Sequence, residues 1–359
     1  MSFPTEAYRG LVNPVRYKKT TTNGSGEAPL IHARARLPRR REQIALRDDH
    51  DCLQALPRRY CRADCVFSRN GTMILVTGST GHTGRALLEL LSRDGTPVRA
   101  LVRDAKKAVA VIKHNVKAVI ADLGVRSSLP AALEGVTTAY LMTAAHPAQV
   151  EWHGNFIEAA RRAGVRHVVR HSVRGADAAS NVKICRWHAE SERELERSGL
   201  GWTHLRPVYN MNNLLKLSTT ISTQGVFYAP MKDAPLAMVD ARDVAAVAAA
   251  ALTGDSHEGR AYLITGPEAI GFAEAARVLG NVLERPLRYV DVSPGLAHEG
   301  MLNLGMPAWY ADDLIGFYDF YSSGAGAAVS DAVMRLTGES GHRFSAFAND
   351  YRSHFLPRG

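Results

Sequence analysis

The chain has 359 residues, 46% hydrophobic and 22% charged, which makes it globular for most of its length, with room for one large α/β core and an appended subdomain. Its formal charge of +9 sits at the front: residues 1–72 hold 14 Lys and Arg against 7 Asp and Glu, so the body behind them is nearly neutral. No apolar run reaches the roughly 18 residues that cross a bilayer, and Met1 to Arg16 lacks the apolar centre of a secretory signal, so a cytoplasmic protein with no membrane partner is expected.

Residues 1–72 form a basic extension marked by Arg34, Arg36, Arg39, Arg40 and Arg41, without a sustained hydrophobic period. Such a segment buries too little apolar surface to offset its ordering entropy, which predicts disorder. His50, Cys52, Cys61 and Cys65 have the residue types of a zinc cluster, but their spacing matches no paired-Cys pattern, so scattered thiols and no metal are expected. The arginines come without aromatic residues or a groove-fitting helix, and no direct nucleic-acid contact is expected. Met73 itself suffices to open a complete protein of the kind that follows, so the leader reads as a dispensable tail or as a start codon placed too far upstream.

From Met73 onward, short apolar strands alternate with amphipathic stretches, the pattern of a parallel, doubly wound α/β sheet. Strands are predicted near 73–77, 97–102, 117–121, 137–142, 166–172 and 201–206, with helices between them at 82–93, 104–114, 127–134, 148–163 and 182–198. Right-handed crossovers then gather ligands at the carboxyl ends of the strands. This domain covers 73–207 and is completed by a helix within about 236–252, Asp240-Ala-Arg-Asp-Val-Ala-Ala-Val-Ala-Ala-Ala-Ala-Leu252. Residues 208–235 and 253–359, including a long helical tail from about 294 to 355, are assigned to a smaller, discontinuous α/β C-terminal lid that selects the substrate.

Between the first strand and first helix lies Gly78-Ser79-Thr80-Gly81-His82-Thr83-Gly84. The first glycine permits the tight turn, the second lets backbone amides approach a pyrophosphate, and the third lets helix pack on strand, while the helix N-terminus supplies free N–H groups to phosphate. The second strand ends in Arg103, where a carboxylate would suit NAD and an arginine suits the 2′-phosphate of NADP, although Arg103-Asp104 is also compatible with a solvated strand end and helix cap. Asp122, ahead of Leu123, ends the third strand, where its carboxylate either accepts from an adenine amino group or caps the next turn.

These residues resemble the NmrA-like family of atypical short-chain dehydrogenases, which includes NADPH-dependent quinone reductases and redox-sensing regulators. The likeness is carried by Met73-Ile-Leu-Val-Thr-Gly-Ser-Thr-Gly-His-Thr-Gly84, Leu101-Val-Arg-Asp104, Arg186-Trp-His-Ala-Glu-Ser-Glu192, Ser198-Gly-Leu-Gly-Trp-Thr-His-Leu-Arg-Pro207, Asp240-Ala-Arg-Asp-Val-Ala245 and Tyr262-Leu-Ile-Thr-Gly-Pro267. It implies a Rossmann sheet of the short-chain dehydrogenase type with NADP held by Gly78 to Gly84 and Arg103. It further implies that Thr143 faces the ribose on the nicotinamide side, that Arg206 and Pro207 lie beside the nicotinamide, and that His188 borders the substrate cleft.

Ordinary short-chain dehydrogenases use a Tyr-x-x-x-Lys pair on the helix after the fifth strand, the Lys lowering the Tyr pKa. The one such string here, Tyr228-Ala-Pro-Met-Lys232, contains a helix-breaking proline and falls after the sixth strand, so it is set aside. The helix at 182–198 holds no Tyr. It offers His188 with Glu192 four residues on, a possible general acid with a pKa near neutrality or, equally, a packing or surface His in an ion pair. Ser172, ending the fifth strand, is a second catalytic candidate that would polarise the substrate. The expected function is NADPH-dependent reduction of a small quinone or carbonyl compound; the alternative is a non-catalytic NAD(P)-sensing regulator that meets a protein partner, and a homodimer is compatible with either. A nucleotide-sugar or isoprenoid-type reductase or epimerase is a third option.

Overall fold

The computed structural model describes residues 72–357, which belong to one compact unit. The extension and its His50, Cys52, Cys61 and Cys65 lie outside the described residues. In chain order the first half runs β1 (Ile74–Val76), α1 (His82–Arg93), β2 (Val98–Val102), α2 (Ala105–Ala108), β3 (Val116–Ile120), α3 (Leu129–Leu133), β4 (Thr138–Leu141), α4 (Gln149–Arg162), β5 (His167–His171), α5 (Lys183–Arg197) and β6 (Gly201–Pro207). The second half adds α6 (Ser218–Gln224), β7 (Val226–Ala229), α7 (Ala241–Thr253), β8 (Arg260–Ile264), α8 (Phe272–Leu283), β9 (Arg288–Asp291), α9 (Pro294–Asn303), α10 (Ala308–Phe320), α11 (Ala332–Thr337) and α12 (Phe344–Asp350).

Seven strands form one parallel sheet in the order β3-β2-β1-β4-β5-β6-β8. The chain leaves β1 toward β2 on one side and later returns to pair β4 with β1 on the other, so a crevice opens at the carboxyl end of β1, the switch point where such sheets take ligands. The strands are short and buried on both faces, as the apolar runs require: Ile74, Leu75 and Val76 are fully buried, and Val168 and Val169 likewise. Helix α1 buries Leu87, Leu88 and Leu91, on one face at helical spacing, against α7. Helix α7 is started by Asp240, whose side chain accepts the N–H of Arg242 at 2.8 Å.

Three predicted extents change. The helix expected over 104–114 is one turn, because Val109 and Ile112 find no surface to cover and remain 78% and 59% exposed; β-branched side chains also make the run a poor helix without packing. The stretch assigned to the lid from 253 onward first supplies β8, the edge of the main sheet beside β6, and α11, which packs on α7 and β8. The long helical tail is broken at Gly305, Gly324 and Gly338, each with positive φ.

The remaining second half has its own core, in which β7 pairs in parallel with β9 and α8 and α12 pack together. Phe227, Phe272, Phe344, Phe347 and Phe355 are buried in it, each stabilising the fold by about 1.5–3 kcal/mol. The pairing of Tyr228 with Lys232 fails structurally as well: Tyr228 is on β7 and Lys232 follows Pro230 in a turn, its N–H donated to Asp291. No helix among the described residues is long and apolar enough to cross a membrane.

Candidate active site

Main-chain geometry builds the first half of the site. Thr77, just past β1, accepts the N–H of Met142 at 2.7 Å and its hydroxyl lies 2.9 Å from the Met142 carbonyl, locking the ends of β1 and β4 together. Gly78 then turns with φ +62°, and the Gly81 N–H donates to its carbonyl at 3.0 Å. At Gly84 a Cβ would stand 2.2 Å from the Gly78 oxygen and 2.8 Å from the Ser79 Cα, so helix and loop touch backbone to backbone and only glycine fits. Ser79 is buried and donates to the Leu101 carbonyl at 2.8 Å, and Thr83 is buried too, so these two offer a ligand main-chain N–H groups rather than hydroxyls. Thr80 is half-buried; Gly81 and His82 are exposed.

The head of α1 is electropositive. The His82 ring is held below its usual pKa, first by partial burial and then by Arg85, His354 and Lys216, with Asp240 opposing. Added to the unpaired N–H groups of the helix start, the Arg85 guanidinium and the Lys216 ammonium suit a pyrophosphate. His354 and Lys216 come from far along the chain, and nothing local in the sequence pointed to them.

At the neighbouring strand ends, Arg103 is exposed while Asp104 caps α2 by accepting the Lys107 N–H at 2.9 Å. Thus the cap belongs to Asp104, and the Arg103 guanidinium is left at the crevice, close enough to His146 to help burial depress that imidazole. One carboxylate oxygen of Asp122 accepts the Gly124 N–H at 2.8 Å, the turn-capping alternative, and Leu123 is buried with its carbonyl accepting from Asn155.

A cavity of about 400 Å3 opens at the carboxyl ends of β4, β5 and β6. It brings together Thr143, His171, Ser172, His188 and Pro207 from the sheet half with Tyr209, Lys216, Tyr310, Phe317, Tyr318 and Tyr321 from the second half. Burial among these walls lowers the pKa of Lys216, although part of its surface meets solvent. Four residues singled out from the sequence, Thr143, Ser172, His188 and Pro207, therefore share one wall. Arg206 does not. The two-residue period of β6 turns it to the opposite side from Pro207, where its guanidinium meets Glu192 at 2.5 and 3.0 Å.

The same ion pair corrects the expected partnership of His188 with Glu192. Burial works to raise the Glu192 pKa, but the Arg206 guanidinium, His204, and the nearby Ser172 hydroxyl overcome it and keep the carboxylate ionised. His188 instead receives a hydrogen bond at Nδ1 from the Arg170 guanidinium, at 3.1 Å. Burial first, and Arg170, His153 and His171 next, push its pKa well below 6.5, so it is a neutral imidazole at physiological pH, which does not suit the first of the two readings, a general acid titrating near neutrality. Arg170 is fully buried and was missed. The signal was present: a charged residue inside the otherwise buried strand Val168-Val-Arg-His171 demands a partner.

Glu192, Glu196 and His204 also bring ligand atoms within 4.8 Å of one another, but Arg206 already supplies the cation there. A wider groove of about 1620 Å3 runs along α3, α4 and α5, lined by Glu158, Arg162, Arg193 and Glu194 among others, and no strand end reaches it.

The NmrA-like family model matches residues 70–335, and the chain belongs to that family. An NAD(P)H azoreductase of Xenophilus azovorans is 38% identical over 283 residues, covering 79% of this chain and 99% of the relative. Quinone oxidoreductase 2 of Escherichia coli is 30% identical, covering 67% of this chain and 85% of the relative. The crystal structure of the NADPH-dependent quinone oxidoreductase of Escherichia coli complexed with NADPH superposes with a TM-score of 0.72 at 28% identity, over 78% of this chain and all of that one.

Proposed function

We propose that this NmrA-like chain is an NADPH-dependent oxidoreductase that reduces a small, flat, electron-poor acceptor, a quinone or carbonyl compound. The observation that carries the reading is the cavity at the strand ends, whose lining residue Met142 lies against Gly78 of the glycine loop and which joins hydrogen-bonding groups on one wall to an aromatic wall on the other. The relatives named as azoreductase and quinone oxidoreductase favour catalysis over the regulatory alternative.

The residues present fit the cofactor: the backbone contact at Gly84 holds the start of α1 against the loop whose N–H groups would meet phosphate, and Arg85 and Lys216 near His82 match its charge. Residues Gly78 to Gly84 would hold the pyrophosphate, and Arg103 would meet the 2′-phosphate. NADPH supplies the hydride. The tyrosines of the second half orient a planar acceptor and keep water off it. His188 Nε2–H and the Thr143 hydroxyl offer hydrogen bonds to the acceptor oxygen that gains negative charge, and solvent at the cleft mouth provides the proton that completes the reduction. An already electron-poor acceptor needs little beyond this positioning, which is why the absence of a Tyr on α5 is tolerated.

The test is NADPH oxidation by the full chain against a panel of 1,4-benzoquinone, menadione, an azo dye and an aliphatic aldehyde. Turnover with the flat conjugated acceptors and little with the aldehyde is expected. NADPH binding with no oxidation by any acceptor would return the chain to the regulatory class.

A further inference from the structure

We infer that Arg170 is a positioning residue that fixes the proton placement of two histidines at once and thereby presents two hydrogen-bond donors to the acceptor cavity. The inference rests on the cavity being the acceptor site.

The argument follows from donor bookkeeping. A guanidinium only donates, so every imidazole nitrogen facing it must accept. Arg170 Nη2 lies 3.1 Å from Nδ1 of His188, and Arg170 Nε lies 3.4 Å from Nδ1 of His153, a longer bond in a wholly buried setting. Both imidazoles are neutral, because burial and the adjacent Arg170 push both pKa values well below 6.5. A neutral ring that accepts at Nδ1 carries its proton on Nε2. Arg170 itself keeps its charge: burial pulls it down only to about 10, with the Glu192 carboxylate 4.0 Å away resisting.

Each fixed proton then does something at the cavity. His188 is part of the wall, and no described residue bonds its Nε2, so the Nε2–H is available to an acceptor oxygen. His153 is fully buried and reaches the cavity through Thr143, whose Oγ lies 3.0 Å from Nε2. Since that Nε2–H donates to the Thr143 oxygen, the hydroxyl must direct its own proton elsewhere, and Thr143 lines the cavity. A donor-only group buried on β5 is thus read out as two donors on the cavity wall. An Nδ1–H tautomer at either ring would set a donor against the guanidinium and leave an acceptor facing the substrate oxygen.

The groups that face His188 are Arg170 and His171 from β5 and His153 from α4, and the cavity wall adds Lys216, Tyr209, Tyr310 and Tyr318. Removing Arg170 takes away the nearest positive charge, and with it part of what keeps His188 neutral.

The experiment is nitrogen NMR of the full chain labelled with 15N-histidine, which distinguishes the two neutral tautomers and the imidazolium, with signals assigned by loss in H153Q and H188Q. In the wild type both rings are expected as Nε2–H tautomers from about pH 5.5 to 8.5. Either ring found protonated at Nδ1, or charged at pH 7, overturns the inference. In R170M the His188 signal is expected to become a tautomer mixture that titrates. Its kcat should fall about a hundredfold, the scale of losing an aimed donor, with KM for NADPH within about twofold and a new acid-side pH limb that stays below 6.5, because burial still opposes the charged ring. R170K, which restores a buried donor without the fork, should recover part of kcat. An R170M protein with unchanged tautomers and unchanged kcat also overturns the inference; if R170M does not fold, the wild-type tautomers and R170K decide. Because tautomers are read without turnover, a chain that oxidises no NADPH sinks the proposed activity while this inference is judged on its spectra.

Discussion

The nucleotide end and the acceptor end of the crevice are made in different ways. Around β1 and α1 the working parts are backbone: a positive-φ glycine, a closed turn, a helix start and a glycine that lets two main chains touch. Around β5, α5 and the second half they are side chains drawn from distant places in the chain, oriented by buried charge, with Arg170 at the centre. The first kind tolerates almost no local substitution, and distant residues such as Lys216 add charge to it without setting its shape. The second can lose a contact and keep its fold, yet its function depends on residues that never touch the substrate.

The largest effect should come from breaking the backbone end. Gly84→Ala places a methyl 2.2 Å from the Gly78 oxygen, an overpacking that costs about 1–3 kcal/mol or more. We expect a lower melting temperature and loss of NADPH binding by calorimetry; retained affinity would show that the loop can open without penalty.

A smaller effect should come from the tie between the ends of the acceptor region. The buried Asp313 of α10 accepts the N–H groups of Lys183 and Ile184, at 2.9 and 3.0 Å, and so caps α5, the helix that carries His188, from the other half of the molecule. Asp313→Ala should cost about 2 kcal/mol in stability, the scale of a lost cap with charge-assisted bonds. It should raise KM for the acceptor several-fold and leave NADPH affinity alone. A change in NADPH affinity instead would contradict the division between the ends.

The smallest are two pH effects of opposite sign, one away from the cavity and one beside it. His342 pairs with the buried Asp243 at 2.5 Å, and that bond raises its pKa above the unfolded value, so its stabilisation is full below about pH 6.5 and fades as pH rises through the folded value. His171 beside the cavity is lowered to about 4, mainly by burial, so its contribution is present above about pH 6.5 and lost as pH falls toward 4. Melting curves of His342→Ala against wild type should converge between about pH 6 and 8, and a constant offset would remove His342 from the account.

This difference in construction also decides what the sequence disclosed. Six strands and the glycine loop were legible within a residue or two because period, apolar runs and turn chemistry are local signals. The nearness of Thr143, His188 and Pro207 to the site came from the family likeness; in the structure the strand ends bring Thr143, Ser172 and Pro207 to one wall, and His188 joins them from α5. Arg206 was misplaced because the likeness gave it a neighbourhood and the alternation of β6 sent its side chain the other way. The role of His188 was misjudged because Glu192 is its neighbour on the helix, whereas Arg170, eighteen residues earlier, is its neighbour in space. The α2 region was hidden because it depends on whether a surface exists to pack against, whereas the tail breaks at Gly305, Gly324 and Gly338 had a local signal that went unread.

The claim that one end holds the cofactor and the other works on the acceptor is tested most directly by steady-state kinetics on two variants with the same quinone. Arg103→Ala is predicted to raise KM for NADPH about tenfold while sparing both KM for NADH and kcat, as expected when a phosphate partner is lost. His188→Gln is predicted to lower kcat about a hundredfold at unchanged KM for NADPH. A His188→Gln enzyme with full kcat, or one whose only defect is in KM for NADPH, would contradict the account.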